Sequence, residues 1–209
     1  MTTATAAISK TSEDAALRDP ATHFDDYQRR LSRLLANFDW SPVSAMAEDF
    51  LDCWRTGRQV FLAGNGGSAG NAVHLANDFL YALSKRAGSG LRIESLSANP
   101  AVLTCLANDE GYDQIYSLQL SVLARPGDVL IVFSGSGNSP NILKALDEAK
   151  RMGLKTYAVL GFDGGKAKAL VDVPIHFAID DMQIAEDAQL IVGHMIMQWL
   201  YSQRDTVQA

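Results

Sequence analysis

From Gln59 onward the chain repeats one figure: a short β-branched run that ends near a glycine or serine, then a stretch with helical spacing. The runs are Gln59–Ala63, Leu91–Ser95, Asp128–Phe133, Lys155–Leu160 and Val171–Phe177. Strands separated by helices cannot pair through tight hairpins. Each connection must return over the sheet, so the strands lie parallel and both faces are covered. The expectation is an α/β fold, a three-layer αβα sandwich with a five-stranded parallel sheet. Asp128–Phe133 is apolar almost throughout and is expected at the centre. Val171–Phe177 contains Pro174, which has no N–H to give to a ladder, and is expected at an edge.

Two helices are predicted ahead of the sheet. Over His23–Phe38 the apolar residues Phe24, Tyr27, Leu31, Leu34 and Leu35 recur at helical steps. In the second helix Ser41 is expected as the cap and Pro42 in the first turn, with Val43, Met46, Ala47, Phe50, Leu51 and Trp54 forming the stripe. A long helix from about Ile184 to Trp199 closes the chain. The organisation expected is a disordered Ser/Thr/Ala-rich tail over 1–20, an N-terminal helical extension over 21–56, and one sheet domain over 57–204.

Composition narrows the class. At 47% hydrophobic and 20% charged residues over 209 positions, the chain is expected to be globular rather than disordered, collagen-like or coiled-coil. Eighteen basic residues against 24 acidic ones give a net charge of −6, and no segment concentrates Lys and Arg, so nucleic acid is not an expected partner. No run approaches the ~20 apolar residues of a membrane span, and no basic-then-apolar leader opens the sequence. Cys53 and Cys105 are too few for a disulfide framework or a zinc knuckle. The expected setting is the cytoplasm, without membrane contact.

Two turns have the chemistry of an anion site. Gly64-Asn-Gly-Gly-Ser68 follows the first run, and Ser68 is expected to cap the next helix. Ser134-Gly-Ser-Gly-Asn-Ser139 follows the third, with Ser139 as N-cap and Pro140 opening a helix that carries Ile142, Ala145, Leu146 and Ala149. Bare N–H groups, hydroxyls and the positive end of a helix attract a phosphate. One such turn is as readily an ordinary strand-to-helix connection; two in one sheet favour a site. Gly64-x-Gly66-x-x-Ala69 also fits a dinucleotide fingerprint, but the second strand ends in Ser95-Leu-Ser97, without the acidic residue that holds a ribose. A P-loop is excluded because Gly-Lys-Ser/Thr does not occur. A small phosphate ester fits best.

The titratable candidates lie on helices. His74 and Asp78 are four residues apart and share a face, a spacing that serves a metal, a proton transfer or a plain surface pair. In the closing helix Glu186 lies about 80° and Asp187 about 20° around the axis from His194, so either carboxylate could share its site. Two His and two carboxylates form an acceptable zinc set and supply a general base near neutral pH. His23 and His176 read as structural.

Five segments, in order, resemble the sugar isomerase (SIS) domain family and its sedoheptulose 7-phosphate isomerase, or phosphoheptose isomerase, group. They are Gly64–Ala69, Leu106–Tyr112, Arg125–Leu130, Ser136–Asn141 and Asp163–Lys166, and the likeness runs from about Ala21 to Leu200. The resemblance implies a flavodoxin-like SIS domain in a homotetramer, with leading and closing helices at the central contacts and active sites between subunits. It implies an aldose–ketose isomerase that converts D-sedoheptulose 7-phosphate to D-glycero-D-manno-heptose 7-phosphate for surface polysaccharide. Ser134, Ser136 and Ser139 would hold the phosphate, with Asn65, Gly66, Gly67, Ser68 and Asn99 on the substrate. Zinc, or another divalent cation, would be held at the positions of His74, Asp78, Glu186 and His194, with Asp78 and His194 as the acid/base pair.

This chain departs from the family pattern in places. Asp78 stands for a glutamate and Glu186 for a glutamine, which makes the set more anionic. Gly135, Asn99 and Ala82 stand where a Thr, an Asp and an Arg are usual. These changes bear on the substrate more than on the fold. Non-catalytic SIS proteins, which bind a sugar phosphate or a replication initiator as scaffolds, diverge at the same positions and are the alternative, as is an isomerase of another sugar phosphate.

Overall fold

The computed structural model describes residues 19–207. Five strands, β1 (Val60–Gly64), β2 (Ile93–Ser95), β3 (Val129–Ser134), β4 (Lys155–Leu160) and β5 (Val173–His176), form one all-parallel sheet in the order β2-β1-β3-β4-β5. The central run is β3, buried at every position, and the strand with Pro174 is an edge, as expected.

The helices are α1 (Pro20–Ala36), α2 (Ser41–Thr56), α3 (Gly67–Asn77), α4 (Leu83–Ala87), α5 (Pro100–Asp109), α6 (Ser117–Leu123), α7 (Pro140–Arg151), α8 (Ala167–Leu170) and α9 (Met182–Gln203). Alternate strand residues face opposite layers. Phe61, Ala63, Leu130, Val132, Ala158 and Leu160 pack with Leu120, Ile142 and Leu146 from α6 and α7. On the other face Leu62, Ile131 and Phe133 meet Met46 and Phe50 of α2, Leu75 and Phe79, and Val192 and Ile196 of α9.

The tail expected over 1–20 lies outside the described residues except for Asp19 and Pro20, where the Asp19 carboxylate accepts from Thr22 N–H and caps α1. Helix α1 is a unit by itself, and a second compact unit begins at Phe38. Helix α2 therefore belongs with the sheet, against α9 and β5. Ser41 does not cap it. The helix starts one residue earlier than the sequence suggests, and Asp39 takes both the N–H and the hydroxyl of Ser41 at 3.0 and 2.8 Å. Among the described residues no helix is long and apolar enough to cross a membrane.

Candidate active site

The strand order sets the location. Strands β1 and β3 are neighbours, with Gly64 opposite Phe133, yet the helices that follow them leave for opposite faces of the sheet. A crevice opens at such a reversal, beyond the carboxyl ends of the strands, and it is where open α/β sheets bind ligands. Both glycine-rich turns lie there.

In the first turn Gly66 is the N-cap of α3 at φ +56°, ψ −123°, a left-handed-side conformation open to glycine. Ser68 consequently falls inside the first helical turn rather than capping it. It is 3% exposed, and its hydroxyl accepts from Gln189 Nε2 at 3.1 Å. In the second turn the buried Ser134 hydroxyl accepts from Gly137 N–H at 3.0 Å and that of Ser136 from Asn138 N–H at 3.3 Å. Ser139 is the N-cap of α7 but makes no side-chain cap bond, and Pro140 follows it. The loop after β4 braces this turn: Ala167 N–H donates to Gly137 O at 2.9 Å and Lys166 N–H to Asn138 Oδ1 at 3.1 Å. Gly137, at φ +64°, passes so near Gly164 O that a Cβ would strike it. Asn99 is used locally, its carboxamide oxygen accepting from Ala101 and Val102 N–H at the start of α5.

The titratable candidates meet on a seam between α3 and α9, which run in the same direction. Asn71 donates to Glu186 O at 3.0 Å and to Gln189 Oε1 at 2.9 Å, Leu75 packs where Gly193 leaves room, and His74 faces His194. The two imidazole Nε2 atoms are 3.0 Å apart, and Asp78 Oδ2 lies 3.5 Å from that of His74 and 3.6 Å from that of His194. Asp78 opens a wide π-helical turn, Asp78–Ala82, inserted between α3 and α4. Within it Phe79 O accepts from Leu91 N–H at 3.2 Å, tying the turn to the segment that enters β2. Such turns recur at functional sites because they re-aim side chains.

Glu186 is not brought to this group. Its carboxylate lies over Gly67, where a Cβ would meet both oxygens, about two helical turns from His194. Among the described residues His74, Asp78 and His194 have ligand atoms all within 4.8 Å of one another. Tetrahedral zinc, with nitrogens at about 2.0–2.1 Å, holds two imidazoles roughly 3.3 Å apart, so the observed spacing suits a metal held by three protein groups and an open position. The His side chains are 47% and 41% exposed and Asp78 18%, so the group faces outward along one edge and is reachable by a ligand.

Sequence reasoning missed several polar residues of the crevice. Gln189, 1% exposed, bridges Ser68 and Asn71; a polar residue in the apolar stripe of α9 was the available signal. Asn141 pairs with Asn65, and Tyr116, nearly buried, donates its hydroxyl to Gly64 O. Burial pushes the Tyr116 phenol above its ordinary range, so it stays a proton donor.

The SIS domain model matches residues 22–161. A phosphoheptose isomerase of Chlorobaculum parvum is 37% identical over 180 residues, 84% of this chain and 85% of that protein. The phosphoheptose isomerase of Chlorobaculum tepidum is 40% identical over 177 residues, 82% and 83% of the two chains. The solved structure of a phosphoheptose isomerase from Neisseria gonorrhoeae superposes with a TM-score of 0.78 at 29% identity, covering 87% of this chain and 96% of that one.

Proposed function

The chain belongs to the SIS-domain family, in its phosphoheptose isomerase group, and is an isomerase; we propose that it interconverts D-sedoheptulose 7-phosphate and D-glycero-D-manno-heptose 7-phosphate, a step toward surface polysaccharide. The observation that carries this reading is the meeting of His74, on the helix that starts at the switch-point crevice, and Asp78, in the turn that continues it, with His194 of α9. The phosphate is assigned to the turn of Ser134, Ser136 and Ser139 and the N-terminus of α7, where N–H groups and hydroxyls offset an anion in a chain of net charge −6. From Gly67 to His74 the helix rises about 10 Å, which lets an extended sugar reach from the crevice to the titratable group.

Asp78 is the base in this proposal. Its carboxylate takes a proton from C1 of the ketose and returns it to C2 of the enediol. The His194 imidazole gives a proton to the C2 carbonyl oxygen and receives the one leaving the C1 hydroxyl, so no net proton is gained or lost. His74 Nε2, hydrogen-bonded to that of His194, fixes its orientation. A divalent cation held by His74, Asp78 and His194 would polarise the carbonyl and stabilise negative charge on oxygen. Glu186, on the present geometry, acts at the first glycine turn instead.

Asp78→Asn keeps shape and removes the base. Turnover should fall by about 10²–10⁴-fold with the melting temperature little changed, read in an assay of C5 to C7 ketose phosphates. Full turnover in this variant would remove Asp78 from the role. Elemental analysis of the purified protein tests the cation: about one equivalent, lost in His74→Ala, is the expected result.

A further inference from the structure

The Ser136–Asn141 segment ends in a residue to which phosphate binding gives no task. Asn141 occupies the first turn of α7, 1% exposed, and its carboxamide is committed to Asn65 on the neighbouring glycine turn. Asn141 Nδ2 donates to Asn65 Oδ1 and Asn65 Nδ2 to Asn141 Oδ1, each at 2.8 Å. Asn141 Oδ1 accepts a second bond from Ile142 N–H at 3.0 Å, which fixes the amide's orientation.

Two parallel hydrogen bonds between planar groups set separation and tilt together, as in other bidentate pairs. Asn65 is occupied further. Its Oδ1 also accepts from the Tyr112 hydroxyl at 3.1 Å, and the segment bearing Tyr112 is tied to α7 by the Asp113–Lys144 ion pair at 2.5 Å. One N–H of the Asn65 amide is then left for a ligand. The amide pair spans the crevice above the β1–β3 ladder, between turns whose helices diverge to opposite faces of the sheet.

We propose that Asn141 is a positioning residue that, through Asn65, holds the first glycine turn at a fixed distance from the serine turn, so that the phosphate and the reacting end of one sugar are presented together. Tyr112 belongs to the same brace. The proposal rests on the sugar-phosphate reading above.

Asn141→Leu keeps the size of the side chain and removes both bonds to Asn65 without setting a charge beside the serine turn. A ligand that spans both turns feels this, while one that uses the serine turn alone does not. For sedoheptulose 7-phosphate kcat/KM should fall at least about tenfold, whereas the Kd of inorganic phosphate, measured by calorimetry, should change less than about twofold. In the cycle of Asn65→Ala, Asn141→Ala and the double variant, the double should be no worse than the worse single.

Additive losses would mean that Asn65 meets the sugar independently, and an equal loss of inorganic phosphate affinity would mean that Asn141 merely supports the serine turn; either result overturns the proposal. Should Asn141→Leu not fold, Asn65→Leu breaks the same pair from its more exposed side. If the wild type turns over no C5 to C7 ketose phosphate, the reaction reading fails. The cycle then runs on calorimetric binding of sedoheptulose 7-phosphate, and the same coupling decides.

Discussion

Asp172 shows how a single carboxylate secures the edge of the sheet. It stands just before β5 and accepts from the N–H and the hydroxyl of Thr156, both at 2.8 Å. Partial burial works to raise its pKa, but the Thr156 hydrogen bonds, helped by Lys155 and Lys150, bring it below the ordinary value. A carboxylate lowered on folding adds stability above its unfolded pKa, and that stability is lost as pH falls through the folded value. Stability measured by urea unfolding should therefore drop below about pH 4, and Asp172→Asn should flatten that part of the profile. A variant with the same slope as the wild type would remove Asp172 as its source. At this scale legibility was uneven. His74 and Asp78 could be picked out because they share a helix face just past a glycine turn, and His194 because it interrupts an apolar stretch, but Asn141 and Asn65 are 76 residues apart and look like ordinary turn residues until the sheet brings them together.

Element by element, the strands were legible because burial on both faces leaves continuous apolar runs, and β4 coincides with its expected bounds. The π turn at Asp78–Ala82 was not, and it is accompanied by a tertiary bond, Leu91 N–H to Phe79 O, that no local pattern announces. Nor was the parallel seam of α3 and α9, which depends on one small residue. A Cβ on Gly193 would run into the Leu75 side chain, and Leu75 is fully buried. Gly193→Ala should cost about 1–3 kcal/mol in denaturant unfolding, as overpacking does, with part of the loss recovered when Leu75→Val is added. An unaffected single variant would show that the seam has slack. Because His194 is the next residue along, the same substitution should also lower turnover.

For the whole molecule, the resemblance set the expectation of a homotetramer, and we propose that state here. Apolar side chains remain uncovered on the unit that begins at Phe38: Leu80 at 54%, Tyr81 at 61%, Met195 at 45% and Trp199 at 36%. Trp40, Val43, Ala47, Met195 and Trp199 line a groove beside α9. Contiguous exposed apolar surface on one chain marks an interaction face. Light scattering should give four times the 22.6 kDa of the chain, and Trp199→Glu should shift the mass downward and reduce turnover together. A fully active single chain would overturn the proposal. The charge balance in the sequence pointed away from nucleic acid, but it could not reveal this face, because whether an apolar residue faces the core or a neighbour depends on packing alone.

His74 and His194 are 120 positions apart, on the first helix after β1 and on the last long helix of the chain. A ribosome that has made everything through β5 has made all five strands of the sheet and only part of the group formed by His74, Asp78 and His194. The titratable group closes only when α9 emerges and docks, so on the mechanism proposed above a chain stopped before Met182 should be inert however well its strands have paired.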